Sequence, residues 1–254
     1  HHVNVFLCPP GSHDSVEVGS FGSQCLVASA AGTGATIFPP GMAKRIPAGW
    51  RLRFVVHYVA IGSEQTDRSS LGLKFIDPEL VEREVATRVL IDPELRIAPG
   101  AANHRIEHAA VLERDTLLLA MFPHMHLRGK SFLYQAAYAD GRRETLLSVP
   151  RWDFEWQHRY ELAKPKLLPA GTVLHCIAIY DNSAANPANP DPRAMVRAGP
   201  QNDDEMFNAY YDIAPAETAA FGTGLRTRWV VRGLTTLMAA IVIGWFATRE
   251  RGPG

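Results

Sequence analysis

Apolar and polar positions alternate in short runs along this chain, and turn residues break the runs every few positions. Residues 3–7, 50–61 and 71–76 are apolar runs separated by clusters such as Pro9-Pro10-Gly11 and Pro39-Pro40-Gly41. That punctuation predicts strands and turns rather than long helices. Within RLRFVVHY (51–58) the alternation at the start predicts one buried face and one more polar face. Further along, candidate strands fall at 104–112, 116–121, 132–138, 144–149, 159–162 and 172–180. Asp140-Gly141 is a hairpin-turn signal between two of them, and PANPDP (187–192) cannot be a central strand and reads as a loop. DPEL occurs at 77–80 and again at 92–95, but nothing around it repeats. The pattern predicts an all-β chain of two tandem antiparallel β-sandwich domains, 1–92 and 101–214, joined by a linker at 93–100.

The last stretch has another character. Residues 229–247, WVVRGLTTLMAAIVIGWFA, are apolar or small apart from Arg232 and two threonines. About 20 such residues span a bilayer as a helix. Trp229 and Trp245 stand where interfacial aromatics belong, and Arg232 is close enough to one end to snorkel. The expectation is a C-terminal hydrophobic helix that anchors the chain in a membrane, the alternative being a buried core helix. Residues 215–228 would then be a linker and 248–254 a tail. Arg226, Arg228 and Arg232 precede the span and Arg249 and Arg251 follow it, so charge does not orient it.

Composition narrows the function. The chain has 254 residues, 46% of them apolar, which supplies real cores and excludes disorder. Lys+Arg and Asp+Glu are balanced at 26 each, which argues against a nucleic-acid partner. Three cysteines without a CxxC pair exclude a disulfide scaffold and a CxxC zinc or redox site. Ten histidines are the surplus, and they point to metal. The chain opens on His1-His2, with no charged or apolar signal region from which targeting can be read.

His124-Met125-His126 is the sharpest local signal. In a strand, residues i and i+2 share a face, so the two imidazoles either serve one metal or are simply two surface histidines; a metal needs a third donor from elsewhere. His1 and His2 are adjacent and point to opposite faces of a regular strand, so joint ligation needs a distorted backbone. A true N-terminal His1 would offer a copper brace instead. His57 on its apolar strand reads, alone, as a core histidine. His104 and His108 have i, i+4 spacing but no shared helical face in a strand context. Met206, alone, reads as a core methionine.

Taken in order, HHVNVFLC (1–8), PPGMAKRIPAGWRLRFVVHY (39–58), DRSSLGLKF (67–75), PHMHLRGK (123–130) and DDEMFNAYYD (203–212) resemble the copper type II, ascorbate-dependent monooxygenases. This family includes the peptidylglycine α-hydroxylating and dopamine β-monooxygenases. The resemblance covers about residues 1–213 and is closest in phrasing to bacterial members, where this region can follow a redoxin-like or cytochrome-like module. It implies two jelly-roll-like copper domains, the first truncated before His1. It implies one copper on His1, His2 and His57, and another on His124, His126 and Met206, with Asn208 and Tyr210 on the substrate side. It also implies a Cys8–Cys25 disulfide and an extracytoplasmic location. Cys176 matches a family half-cystine whose partner position is Phe207, so a free buried thiol is expected there.

The implied activity is hydroxylation of a substrate C–H bond with O₂ and a one-electron reductant such as ascorbate, on a small-molecule or peptide-like substrate. Imidazole suits both copper oxidation states, and a thioether favours Cu(I). Two positions depart from the family. Phe122 stands where peptidylglycine hydroxylases carry an Arg for the peptide carboxylate, and Val55 stands where a Gln is usual. Two other readings compete: a copper-binding or electron-transfer module on the same scaffold without hydroxylase activity, and a zinc hydrolase.

Overall fold

The computed structural model describes residues 2–12, 24–30, 33–59, 61–217 and 237–240. The protein is all-β, built mostly from antiparallel pairings, with one short parallel pair between 42–43 and 83–84; among the described residues the one helical turn is a 3-10 turn at Pro78–Leu80. The chain divides into two compact units: the second is chiefly Ala86–Ala216, and the first holds the described chain up to Val85 together with residues 237–240.

The first unit contains β1 (His2–Cys8), β2 (Gln24–Ala30), β3 (Met42–Ile46), β4 (Arg51–His57), β5 (Lys74–Ile76) and β6 (Arg83–Glu84). Strand β1 is the centre of a three-stranded sheet in the order β2-β1-β4. Val3, Val5 and Leu7 share one face of it, as a period of two requires, and with Leu26 and Val27 form a small core. Trp50, Val56, Leu71 and Leu73 close over that core.

The second unit begins with β7 (Ala86–Ile91), β8 (Arg96–Ile97), β9 (His104–Val111), β10 (Thr116–His124) and β11 (Gly129–Ala137). It continues with β12 (Arg143–Val149), β13 (Tyr160–Leu168), β14 (Val173–Tyr180), β15 (Val196–Arg197) and β16 (Asn208–Pro215). Two four-stranded antiparallel sheets, β13-β10-β16-β7 and β12-β11-β14-β9, contribute their inner faces to one core, a β-sandwich-like layering. Leu118, Met121, Ala209 and Tyr211 come from the first sheet. Phe132, Tyr134, Leu174, Cys176 and Tyr180 come from the second. Two buried hydroxyls in this core have partners: Tyr134 donates to the Tyr210 carbonyl at 3.0 Å and Tyr180 to the Met206 carbonyl at 2.9 Å. The expected Asp140-Gly141 turn joins β11 to β12 with Gly141 at φ 84°, and 187–192 is loop.

Three expectations are corrected or displaced. Residues 93–100 are not a linker: Arg96–Ile97 pairs with β15, and Leu95 and Ile97 are buried in the second unit's core. Of the two cysteines expected to pair, Cys8 is a buried free thiol. The register of β1 against β2 sets Cys25 opposite Phe6, so the two cysteines are diagonal neighbours. The expected helix at 229–247 lies outside the described residues, apart from β17 (Leu237–Ala240), which is extended and pairs with β3 and β5. No helix among the described residues is long and apolar enough to cross a membrane. Cys176, by contrast, is free and fully buried as expected, and burial pushes its thiol far above the ordinary range.

Candidate metal centre

Strand β10 ends at His124, where it lies opposite Asn208, the first residue of β16. Its pairing with β13 stops earlier, at Met121. Pro123 therefore falls where one flank of β10 carries no ladder, the place a residue without an N–H is tolerated. Met125 turns into the core and is fully buried, so His124 and His126 project to the other side. Both imidazoles are buried, with ring centroids 5.2 Å apart and planes nearly perpendicular at 83°.

Each ring is held through its Nδ1. For His124 the partner is Gln157 Oε1 at 2.6 Å, and Gln157 is itself buried and anchored by its Nε2 on the Phe154 carbonyl at 3.0 Å. For His126 the partner is the Asp204 carbonyl at 3.2 Å. Both partners accept, so both rings carry their proton on Nδ1, which leaves the lone pair on Nε2. That is the tautomer a metal site selects. The segment 152–158 closes around the pair. Trp152 Nε1 donates to the His126 carbonyl at 3.3 Å, and the Phe154 ring stands edge-on to His126 at 6.4 Å.

Sequence reasoning missed the groups that fix this region. Glu205 is fully buried and accepts three backbone N–H groups: His126 at 2.8 Å, Arg128 at 2.7 Å and Met206 at 3.0 Å. Burial pushes its carboxyl up to about 7, against the pull of those donors and of Arg128. The Arg128 guanidinium is buried too, donating to Asn182 Oδ1 at 3.0 Å and to the Asp203 carbonyl at 2.8 Å. Every residue of Asp203–Met206 thus touches the 126–128 segment or adjoins one that does. The signal was present in the motifs PHMHLRGK and DDEM, whose charged residues sit beside the proposed ligands; Gln157 had none.

Met206 is half-buried just ahead of β16, and its Sδ accepts from Asn208 Nδ2 at 3.4 Å. Asn208 and Tyr210 share one face of β16 and are both buried. Tyr210 lies opposite Phe122, with their rings 6.0 Å apart. Asp212 continues the same face and is held by Arg159 Nη2 at 2.7 Å and by Thr87.

In the first unit, strand register sets His2 opposite His57, and their rings stack at 4.3 Å with an interplanar angle of 29°. Burial holds the His57 imidazole below its ordinary pKa, which favours the neutral form a metal needs. His1 lies outside the described residues. Val55 is half-buried on β4 opposite Asn4. Among the described residues no three His, Cys, Asp or Glu side chains gather at one point. The set His124, His126, Met206 contains only two residues of those types, its third donor being a thioether.

The chain matches no family model and no curated protein.

Proposed function

We propose that this protein is a copper-dependent monooxygenase that hydroxylates a substrate C–H bond with O₂ and a one-electron reductant such as ascorbate. One oxygen atom enters the substrate as hydroxyl and the other leaves as water, with two electrons drawn from the reductant. The observation that carries the reading is the pair of buried imidazoles at the end of β10, each with Nδ1 fixed on a protein acceptor, beside a segment that carries a methionine. The donor set fits copper: two neutral imidazoles suit either oxidation state and the Met206 thioether favours Cu(I). Copper bound there supplies one-electron chemistry toward O₂. The protein's own contribution is to hold that donor set rigid and bury it. The Phe122–Tyr210 aromatic pair and Asn208 give the adjoining surface an apolar wall with one amide, suited to a substrate that lacks a carboxylate at this point. His2 and His57, with His1, would hold the other copper.

The finer architecture belongs to the same reading: two tandem jelly-roll sandwiches, anchored on the extracytoplasmic side of a membrane by 229–247. The test is metal analysis followed by oxygen-electrode assays on the full chain. The expectation is two coppers per chain and O₂ uptake that needs both reductant and substrate. His124→Ala and Met206→Leu should each abolish substrate-dependent uptake. Turnover that survived either change would sink the oxygen site, and copper cycling without substrate-coupled uptake would make the protein an electron-transfer module.

A further inference from the structure

We propose that Glu205 is the positioning residue that sets the Met206 thioether against the imidazoles of His124 and His126. The inference rests on the copper reading above and adds to it a residue whose task is to join the two halves of the donor set.

The argument starts from the ladder. Strands β10 and β16 pair antiparallel, and their last pair is His124 with Asn208. Continued in the same register, the next pair on that face would be His126 with Met206. No ladder holds them, because both residues lie past the ends of their strands. The two donors that must meet one ion therefore stand where regular backbone hydrogen bonding has stopped. Glu205 takes its place. One of its oxygens, Oε2, accepts from the N–H of His126 and from the N–H of Met206, and the other accepts from the N–H of Arg128. Two of its three donors are the amides of proposed ligands themselves, held to a single atom.

The side-chain type matters. A carboxyl group carries about four lone-pair sites on its two oxygens, so it can accept from three N–H groups at once. An amide in its place would turn an NH₂ group toward at least one of them. The backbone of Met206 is then fixed at both ends, its N–H by Glu205 and its carbonyl by the Tyr180 hydroxyl. A methionine side chain keeps three rotatable bonds, so fixing its backbone is the part of its placement the fold can supply in advance. The residues flanking Glu205 point the same way. Asp203 and Asp204 offer their carbonyls to Arg128 and to the His126 ring, so Glu205 is the middle of a short clasp.

The test compares Glu205→Gln, Glu205→Ala and Met206→Leu with the unaltered full chain by three measurements. Copper K-edge absorption of the Cu(I)-loaded protein reads whether sulfur is bound. Competition with a chromophoric chelator reads Cu(I) affinity. Amide hydrogen exchange on the metal-free protein reads the clasp itself. Both Glu205 variants are expected to lose the sulfur neighbour and to bind Cu(I) at this site about 10- to 100-fold more weakly, as Met206→Leu does. Exchange should quicken at His126, Arg128 and Met206 while the core strands stay protected. If Glu205→Ala does not fold, Glu205→Gln decides. A purely structural role predicts a lower melting temperature with sulfur and affinity retained in the folded protein, and that result overturns the proposal. Absence of sulfur in the unaltered chain would instead overturn the copper reading, and this role with it.

Discussion

The two histidine groups are placed by different means. His2 and His57 meet because β1 and β4 run antiparallel in a register that sets them opposite each other. Their alignment is a by-product of a ladder that also aligns six other pairs, from Val3 with Val56 to Cys8 with Arg51. His124 and His126 instead sit at and beyond the end of a strand, and side chains from distant parts of the chain fix them. Gln157 orients one ring, the Asp204 carbonyl orients the other, and Glu205 binds the backbone. The difference teaches where geometry is expensive. A ladder sets residue spacing at no extra cost, whereas donors outside it need buried polar groups, each of which must be fully satisfied to be tolerated. The second group is therefore the more finely set of the two and the more easily broken.

The largest expected effect follows from that contrast. Arg128→Met removes a buried guanidinium and leaves the Asp203 carbonyl without that donor and the Glu205 charge without its nearest cation. Loss of one member of a buried charged network costs about 3–5 kcal/mol. Chemical denaturation of the metal-free protein should show a loss of that order; a change below about 1 kcal/mol, the scale of a surface ion pair, would mean the clasp around the second group is not what holds it. Next in size, Gln157→Ala leaves His124 without its Nδ1 acceptor. Removing the orienting partner of a ligating histidine typically weakens metal binding about 10- to 100-fold. If the proposed copper sites are right, copper binding at the second unit should weaken accordingly, with binding at the first unit unchanged in the same titration. Equal weakening of both would dissolve the distinction between them.

What could be read from the sequence divides along the same line. Strands β9 to β14 of the second unit were legible from alternation and turn residues, β7 and β16 were not, and His124, His126 and Met206 were legible from motif order. Strand β2, with the sequence QCLVASA, was not, because its small and polar residues give no alternation. The stretch 93–100 read as a linker because Asp-Pro and Pro-Gly bracket it, although Leu95 and Ile97 carried the period of two that buries them. Glu205 and Arg128 stand inside the ligand motifs and were still passed over, for a stronger reason. A single charged residue reads as surface, and the partners that bury Glu205 are 79 and 77 residues away along the chain. Periodicity reports local structure and the side a residue faces; it is silent on what a strand end meets.

The smallest expected effect tests the other side of the comparison. If register alone aligns His2 with His57, then His57→Ala should leave the β1–β4 ladder intact. The cost is then a cross-strand pair contact, worth about 0.2–1 kcal/mol, because the side chain is only half-buried. The metal-free variant should thus unfold within about 1 kcal/mol of the unaltered chain, and on copper titration it should show no binding at the site proposed for the first unit. Burial of His57 holds its pKa down, so its neutral form dominates across the neutral range. The sign of the linkage follows: a histidine whose folded pKa lies below its unfolded value destabilises the fold as pH falls through the unfolded pKa, since the unfolded chain then binds more protons. His57→Ala should therefore also flatten the loss of stability on acidification through that range. A variant that lost several kcal/mol, or kept the same acid sensitivity, would show that His57 is fixed by more than its ladder, and the two groups would then be alike.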